Sequence, residues 1–198
     1  MARIAVLASG SGSNLEALIK SEKAGRLGAE IALVVSDRPD AYALVRANRY
    51  KKPVCLIEPK LFETREAYEK AVVSVLRKAG IDWVALAGFM RILSPYFIGE
   101  YRGRIVNIHP ALLPLFKGAH AIRDAFEQGV KVTGVTVHFA TENVDGGPII
   151  LQEPVPVYPK DTLKTLEKRI HALEHRLYPR AIRLVIEGKV KMNSRIRT

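Results

Sequence analysis

Two polar side chains, Asn107 and His109, end an apolar run in the stretch RIVNIHPALLP. Side chains alternate along a strand, so these two would share one face while Val106 and Ile108 point the other way. An amide N–H can donate to a developing oxyanion, and an imidazolium can donate to it or carry a proton. The pair therefore predicts catalysis at the end of a strand. The alternative is that Asn107 is a buried amide with its hydrogen bonds made within the protein and that His109 has only a structural role.

A carboxylate follows in the stretch HFATENVDGGPIILQ, where Asp145 precedes two glycines. Asp-Gly is also typical of a hairpin turn, but the polar or small residues of 140–147 are more than a tight hairpin needs, and loops often carry functional residues. Asp145 could orient His109 and favour its charged form. Glu142 lies in the same loop and could take that role instead; the sequence does not choose between the two acids.

A glycine-rich turn lies near the start of the chain, in LASGSGSNLEALIK. Gly10 and Gly12 match the first two glycines of a dinucleotide fingerprint, but Leu15 takes the third place, and a Walker A loop is absent. Glycine lets an anion approach the backbone, and we expect Ser13 or Asn14 to cap the following helix, whose free N–H groups favour negative charge. The turn predicts a phosphomonoester site; a tight turn without a ligand is the alternative.

The stretch HALEH places His171 and His175 four residues apart on a predicted helix and matches a zinc-binding pattern. Such a short pattern often matches by chance, and its neighbours fit an ordinary amphipathic helix, so we expect no metal. Covalent catalysis has little support, because no Gly-x-Ser-x-Gly motif occurs and Cys55 has no histidine near it in sequence.

The formal net charge of +11 predicts anionic partners, either nucleic acid or phosphorylated and carboxylated small molecules. The basic residues are scattered, and no zinc-finger, RNP or basic-zipper pattern occurs, so we expect no nucleic acid. The one local basic cluster is in the tail: Lys189, Lys191, Arg195 and Arg197. No apolar run approaches the ~18 residues of a membrane span, and no secretion signal is recognisable. We therefore expect no membrane partner. Cys55 is the one cysteine, which excludes an intrachain disulfide and fits a reducing cytoplasm.

Short β-rich runs alternate with helical patterns along residues 1–198, which predicts a single α/β domain. The expected architecture is a mainly parallel twisted sheet with helices on both faces. Gly80 should end the third helix and Ser94-Pro95 should begin the fourth, while Pro179 should kink or break the last one. We expect strands at 3–8, 31–36, 54–57, 82–87, 104–109, 131–139 and 148–157, and helices at 14–24, 40–50, 64–79, 95–101, 120–128 and 162–187.

In such sheets, ligands bind beyond the carboxyl ends of the strands. The glycine-rich turn follows one predicted strand, Asn107 and His109 end another, and Asp145 lies in the loop after a third. The sequence therefore predicts that these groups gather into one site.

Four stretches together, GSGSN, AGFMRILSP, NIHPALLP and VDGGPIILQ, resemble the folate-dependent formyltransferase family. Asn-x-His-Pro and Asp-Gly-Gly at this spacing are specific for that family. The N-terminal turn narrows the resemblance to the phosphoribosylglycinamide formyltransferase branch or to formyltetrahydrofolate hydrolase. The resemblance covers nearly the whole chain and implies a Rossmann-like formyltransferase fold. A length of 198 residues leaves no room for the extra domain that the hydrolase normally carries, which favours the first branch.

The resemblance implies transfer of the formyl group of 10-formyltetrahydrofolate to the amine of phosphoribosylglycinamide, in purine biosynthesis and without a metal. Both partners are small molecules, and a homodimer stays open. The N-terminal half would hold the ribonucleotide phosphate, and the C-terminal half would hold the folate site and the catalytic groups. Those catalytic groups would be Asn107, His109 and Asp145.

The resemblance also implies two binding sites. Gly12, Ser13 and Asn14 would hold the phosphate and Glu174 would contact the ribose, while His171 stands where the family often has lysine or glutamine. Arg65 would meet the glutamate tail of the folate, and the loop 141–145 would close on its pterin ring. The full set of implied folate contacts is Arg65, Met90, Arg91, Ile92, Leu93, Asn107, Thr141, Glu142, Asn143, Val144 and Asp145.

Overall fold

A computed structural model of the chain describes residues 1–192 and shows one sheet of seven strands flanked by helices. The strands are β1 (Ala2–Leu7), β2 (Ala29–Ser36), β3 (Val54–Leu56), β4 (Trp83–Leu86), β5 (Ile105–His109), β6 (Val132–Phe139) and β7 (Ile149–Pro156). The helices are α1 (Ser13–Lys23), α2 (Tyr42–Arg49), α3 (Arg65–Lys78), α4 (Pro95–Glu100), α5 (Ala121–Glu127) and α6 (Leu163–Ile186), with a short 3₁₀ turn at Pro59–Leu61.

The strand order is β3-β2-β1-β4-β5-β6-β7. Strands β1 to β5 pair in parallel, whereas β6 is antiparallel to both β5 and β7. The expectation of a mainly parallel sheet is confirmed. The loop after β6 returns the chain directly to β7 without a crossover helix, which accounts for the antiparallel pairing of these two strands.

Apolar side chains of the sheet pack into two cores, one on each face. In β1, Ile4 and Val6 face the core that holds α1 and α6, whereas Ala5 and Leu7 face the core that holds α3 and α4. This two-sided burial explains why the parallel strands are apolar throughout rather than alternating with polar residues. The expected helices on both faces are confirmed.

Local capping explains where several helices begin. Thr64 accepts a hydrogen bond from the N–H of Ala67 at 3.1 Å, and Ser94 accepts one from Phe97 at 3.3 Å. Gly80, at a φ of +61°, follows the end of α3 as expected. The expected break at Pro179 is wrong, because α6 continues through it.

The residue before this proline, Tyr178, anchors α6 to the sheet. Tyr178 is fully buried, and its hydroxyl lies 2.9 Å from the carbonyl oxygen of Leu86 and 3.0 Å from that of Val106. Because Leu86 and Val106 belong to β4 and β5, the helix is fixed to two central strands. Of the basic tail cluster, Arg195 and Arg197 lie outside the described residues.

Candidate active site

A cavity of about 690 Å³ opens beyond the carboxyl ends of β1, β4 and β5. This is the edge where open parallel sheets bind ligands, and the strand order changes direction beside β1. The lining comes from the glycine-rich turn, from the segments that follow β4 and β5, from the loop after β6, and from α6: residues 10–14, 86–93, 98, 107–110, 118–123, 138, 140, 141, 143–145, 167, 171 and 174.

Asn107, His109 and Asp145 meet in this cavity. The Oδ2 atom of Asp145 lies 3.5 Å from Nδ1 of His109, and Asn107 donates from Nδ2 to Oδ1 of Asp145 at 3.4 Å. Asp145 adopts a φ of +50°, a left-handed conformation that aspartate tolerates better than most residues. Strand periodicity therefore places the amide of Asn107 and the imidazole of His109 on one face. The loop after β6 brings the carboxylate of Asp145 into contact with both side chains.

The other ring nitrogen of His109 is also engaged. Its Nε2 atom donates to the carbonyl oxygen of Phe116 at 2.7 Å, since a carbonyl can only accept. Nδ1 is then the ring nitrogen that faces the carboxylate of Asp145, and the ring is held from both sides.

His138 is a neighbour that the sequence reasoning missed. Its Nε2 atom lies 3.1 Å from Nδ2 of Asn107 and 3.6 Å from Oδ1 of Asp145, and the residue is 2% exposed. In the antiparallel ladder, His138 stands directly opposite Asn107. The signal was available, because a polar residue interrupts an apolar strand here as it does at Asn107.

The pKa of Asp145 is set by opposing influences. Burial raises the pKa of the carboxyl group, but the hydrogen bond with His138, the backbone N–H of Gly118 and the charge of His109 together hold it below its ordinary value. Gly118 donates to Oδ2 at 3.0 Å. The group is therefore an ionised carboxylate at neutral pH, and Glu142, the rival acid, is exposed and does not line the cavity.

The glycines after Asp145 fit tightly. A Cβ atom at Gly147 would lie 1.8 Å from the carbonyl oxygen of Phe139, and one at Gly146 would lie 3.0 Å from Cβ of Asn143. Only glycine allows the chain to pass this close to β6. The two glycines therefore let the loop pack against β6 in the position that brings the carboxylate of Asp145 into the cavity.

The glycine-rich turn leads into α1 without a side-chain cap. Gly12, at a φ of +71°, occupies the N-cap position, so the expectation that Ser13 or Asn14 caps the helix is wrong. Asn14 turns away and donates from Nδ2 to Oε2 of Glu174 at 3.2 Å. No side chain at the N-cap position accepts from the first turn of α1, and Ser13 donates its N–H to Oγ of Ser11 at a long distance of 3.4 Å. Ser13 and Asn14 line the cavity, so this helix end suits an anion.

Glu174 also holds His171. Nδ1 of His171 lies 2.8 Å from Oε2 of Glu174, and this hydrogen bond raises the pKa of His171 above its ordinary value despite partial burial. Both residues line the cavity near the glycine-rich turn. The shift favours the charged form of His171 at the end of the cavity where the backbone N–H groups favour an anion.

Residues expected at the folate site fall into two groups. Met90, Arg91, Ile92 and Leu93 line the cavity, and so do Thr141, Asn143 and Val144. Glu142 does not. Arg65 does not either, because its guanidinium is bound outside the cavity to the carbonyl oxygen of Ile92 and, at 3.3 Å, to Glu69.

Two further interactions fix the segment after β4. Arg91 donates from Nε to Oδ2 of Asp37 at 2.8 Å, and Ser9 accepts from the N–H of Met90 at 2.9 Å. Asp37 and Ser9 were not found from the sequence, because nothing in it pairs them with this segment.

The two histidines of HALEH face different cavities. His171 lines the one described above, whereas His175 lines a second cavity between α1 and α6. Within residues 1–192, no group of three or more His, Cys, Asp or Glu side chains is arranged to hold a metal ion. None of the helices in this part of the chain is both long and apolar enough to cross a membrane.

Comparisons with known proteins identify relatives over most of the chain. The family model described as formyl transferase matches residues 2–182. Phosphoribosylglycinamide formyltransferase of Bacillus subtilis is 44% identical over 186 residues, which cover 94% of this chain and 95% of that protein. A crystal structure of glycinamide ribonucleotide transformylase 1 from Symbiobacterium toebii superposes with a TM-score of 0.96 at 48% identity, covering 98% of this chain and 92% of the other.

A longer relative matches over part of its length. The human trifunctional purine biosynthetic protein adenosine-3 is 48% identical over 191 residues, which are 96% of this chain but 19% of that protein. The chain spans 14% of the corresponding protein of Chironomus tentans.

Proposed function

Because the chain belongs to the formyl transferase family, we propose that it transfers the formyl group of 10-formyltetrahydrofolate to the amine of phosphoribosylglycinamide. The products are formylated phosphoribosylglycinamide and tetrahydrofolate, in purine biosynthesis. The observation that carries the proposal is the meeting of Asn107, His109 and Asp145 beside an uncapped helix N-terminus in one cavity. The transferase names of the matched relatives favour transfer to an acceptor over hydrolysis.

The chemistry needs an amine as nucleophile and support for an oxyanion. The amine attacks the formyl carbon, and the carbonyl oxygen gains negative charge as the tetrahedral intermediate forms. Asn107 and His109 supply the polar hydrogens for that oxygen. In the structure these hydrogens are donated to Asp145 and to the carbonyl oxygen of Phe116, and the formyl oxygen replaces these acceptors when it binds. Preorganised donors are effective here because the ring of His109 is 4% exposed and little water screens it.

Asp145 has two parts in this scheme. As an ionised carboxylate it holds Nδ1 of His109, at 3.5 Å, and it stabilises positive charge on the ring as the oxyanion forms. It also moves the proton that the attacking amine loses toward the leaving folate nitrogen, so that the nitrogen departs as a neutral amine. His138 and Gly118 keep the carboxylate in place for both steps.

The two substrates bind in different parts of the cavity. The glycine-rich turn, with Gly12, Ser13 and Asn14, holds the phosphate through backbone N–H groups, and Glu174 contacts the ribose. The segment Met90–Leu93 and the loop 141–145 hold the folate. The exposed apolar side chains of Met90, Ile92 and Val144 offer an apolar wall for the pterin ring. Arg65 lies outside the lining, where only the distal glutamate tail of a folate could reach it.

The decisive experiment is an assay of the purified chain with 10-formyltetrahydrofolate, with and without phosphoribosylglycinamide. We expect tetrahydrofolate to form only when the acceptor is present, together with an equal amount of formylated product. Folate release at the same rate without the acceptor would identify a hydrolase. No turnover in either case would overturn the proposal.

Two other expectations follow from the same assignment. The partners are the two small-molecule substrates, and the reducing cytoplasm suits a chain with Cys55 as its one cysteine. Analytical ultracentrifugation distinguishes a monomer from the homodimer that the sequence left open.

A further inference from the structure

A second cavity, of about 760 Å³, lies between α1 and α6 and shares only Ser13 with the candidate active site. We call it the basic cavity, because six cationic side chains and one carboxylate, Glu16, line it. The cations are Lys20, Arg26, Arg46, Arg176, Arg180 and Arg183.

Positive charge exceeds negative charge in the basic cavity even when every carboxylate paired with these cations is counted. Within residues 1–192, Arg26 has no carboxylate within 4 Å, and three carboxylates pair with the other five cations. Each carboxylate can neutralise one cation, so three positive charges stay uncompensated. The pairs join Glu16 to Lys20 and Arg46, Glu153 to Arg176 and Arg180, and Glu187 to Arg183.

The spacing of the arginines on α6 indicates the shape of an anion that would fit. Arg176, Arg180 and Arg183 follow one another at helical intervals along one face, and at ~1.5 Å per residue they span about 10 Å. Their side chains are 67%, 62% and 51% exposed, so their guanidinium groups are available to a ligand. A single phosphate would reach only part of this row, whereas a chain of phosphates would follow it, and Lys20 faces the row from α1.

His175 adds an unsatisfied polar atom to the same cavity. Its Nε2 atom is buried and has no hydrogen-bond partner within the described part of the chain. Burial lowers the pKa of His175; the charge of Glu174 opposes this shift, whereas the charges of His171, Lys20 and Arg46 add to it. The neutral ring can still share a hydrogen atom with a ligand oxygen, and buried polar atoms normally have such a partner.

We propose that the basic cavity binds the polyphosphate chain of a small molecule, either a nucleoside triphosphate or inorganic polyphosphate. Its volume is that of a small-molecule site, and arginine recognises phosphate oxygens with two hydrogen bonds at once. Recognition rests on side chains of α1, α2 and α6, and it is separate from the phosphate turn of the candidate active site.

The test is calorimetric titration of the full chain at physiological salt with inorganic tripolyphosphate, ATP and inorganic phosphate as probes. We expect tripolyphosphate to bind and inorganic phosphate to bind far more weakly. ATP binding at least as tight as tripolyphosphate would identify a nucleotide as the source of the polyphosphate, and weaker binding would identify inorganic polyphosphate. Absence of binding by both tripolyphosphate and ATP would overturn the proposal.

Variants locate the site. The double variant Arg176→Ala/Arg180→Ala should lose about tenfold or more in tripolyphosphate affinity, because two charge-assisted contacts disappear and Glu153 loses its partners. The double variant Arg102→Ala/Lys131→Ala removes the same net charge outside both cavities and should stay within about twofold of the wild type. Lys20→Ala, on the opposite wall, should weaken binding on its own.

Two results would contradict this location. Equal losses in both double variants would mean that the overall charge attracts the probe, and unchanged affinity in Arg176→Ala/Arg180→Ala would place the probe outside the basic cavity. Duplex DNA is the remaining comparison: tight duplex binding that the same variant abolishes, without tripolyphosphate binding, would replace the proposal with a nucleic-acid surface. None of these measurements depends on formyl transfer.

Discussion

Asn14 and Glu174 are hydrogen-bonded at 3.2 Å although 160 positions separate them in the chain. The contact joins the first turn of α1 to the middle of α6, and Oε2 of Glu174 is also 2.8 Å from Nδ1 of His171. One carboxylate therefore orients both polar groups that flank the glycine-rich turn.

We expect Glu174→Gln to lower the pKa of His171 toward its ordinary value of 6.5, because the hydrogen bond to the carboxylate is the main cause of the upward shift. The charged pair stabilises the fold fully below the unfolded pKa, and that contribution disappears as the pH rises through the folded one. An NMR titration of the His171 ring measures the shift. Glu167→Gln is the control, since Glu167 contributes less. An unchanged His171 titration in Glu174→Gln would exclude this coupling.

Gly12→Ala should destabilise the protein, whereas Gly10→Ala should not. At Gly12 the φ of +71° disfavours any Cβ, and a Cβ there would lie 2.6 Å from Cα of Ala43. The conformational cost alone is about 1–2 kcal/mol, and the clash adds to it. At Gly10 no atom lies within 4 Å of an added Cβ. Thermal unfolding measures both variants, and equal melting temperatures would mean that the turn adapts.

The sequence predicts features that depend on neighbouring residues, but it does not predict contacts between residues that are far apart in the chain. Local sequence patterns located the seven strands and six α-helices of residues 1–192, and strand periodicity placed Asn107 and His109 on one face. Sequence spacing could not reveal the pairing of Asn14 with Glu174, which depends on how α6 packs against α1. The prediction that Ser13 or Asn14 caps α1 is wrong for a related reason, because the side chain of Asn14 is hydrogen-bonded to Glu174 rather than to the backbone of the helix.

Two residues, Arg65 and His138, have surroundings that depend on tertiary packing. Arg65 begins α3 on the other side of the segment after β4, and its bond to the carbonyl oxygen of Ile92 keeps it outside the cavity. The polar position of His138 could be read from its strand, but its pairing with Asn107 could not, because that pairing is set by the antiparallel register of β5 and β6. More than twenty residues, including α5, separate the two strands, so a local pattern does not contain their register.

His138→Asn should shift the acidic limb of the pH–rate profile to higher pH. His138 helps to hold the pKa of Asp145 down, so its loss lets the opposing effect of burial raise that pKa, and protonation then removes the carboxylate at a higher pH. The measurement is kcat/KM against pH under the proposed reaction. His120→Asn is the matched control, since His120 lines the same cavity without an ion-pair contact to Asp145. Identical acidic limbs for wild type and His138→Asn would exclude the effect.

Asn107→Ala should reduce turnover by about 10²–10³, the usual cost of removing one donor to an oxyanion. The substitution also removes the 3.4 Å hydrogen bond to Asp145, so part of the loss comes from a less well-placed carboxylate. Steady-state kinetics with both substrates separate these effects, because a pure loss of oxyanion support lowers kcat while KM changes little. A loss below about fivefold would remove Asn107 from the catalytic groups.

The last prediction compares the two acids of the loop after β6. Asp145→Asn keeps the shape of the side chain but removes the charge that faces Nδ1 of His109 at 3.5 Å, so turnover should fall strongly while the affinities for both substrates stay nearly unchanged. Glu142→Gln removes the nearest rival acid, which is exposed and outside the lining of the cavity, and should leave turnover within about twofold.

Both variants are compared by kcat under saturating substrates and by calorimetric titration with each substrate alone. Asp145 accepts hydrogen bonds from Asn107 and from the N–H of Gly118, and an amide oxygen can still accept one of them, so Asp145→Asn should fold. Circular dichroism checks that it does. Equal damage in the two variants would mean that loop charge rather than one carboxylate matters. A near wild-type rate in folded Asp145→Asn would show that another group orients His109, because no charge would then be needed at the carboxylate position.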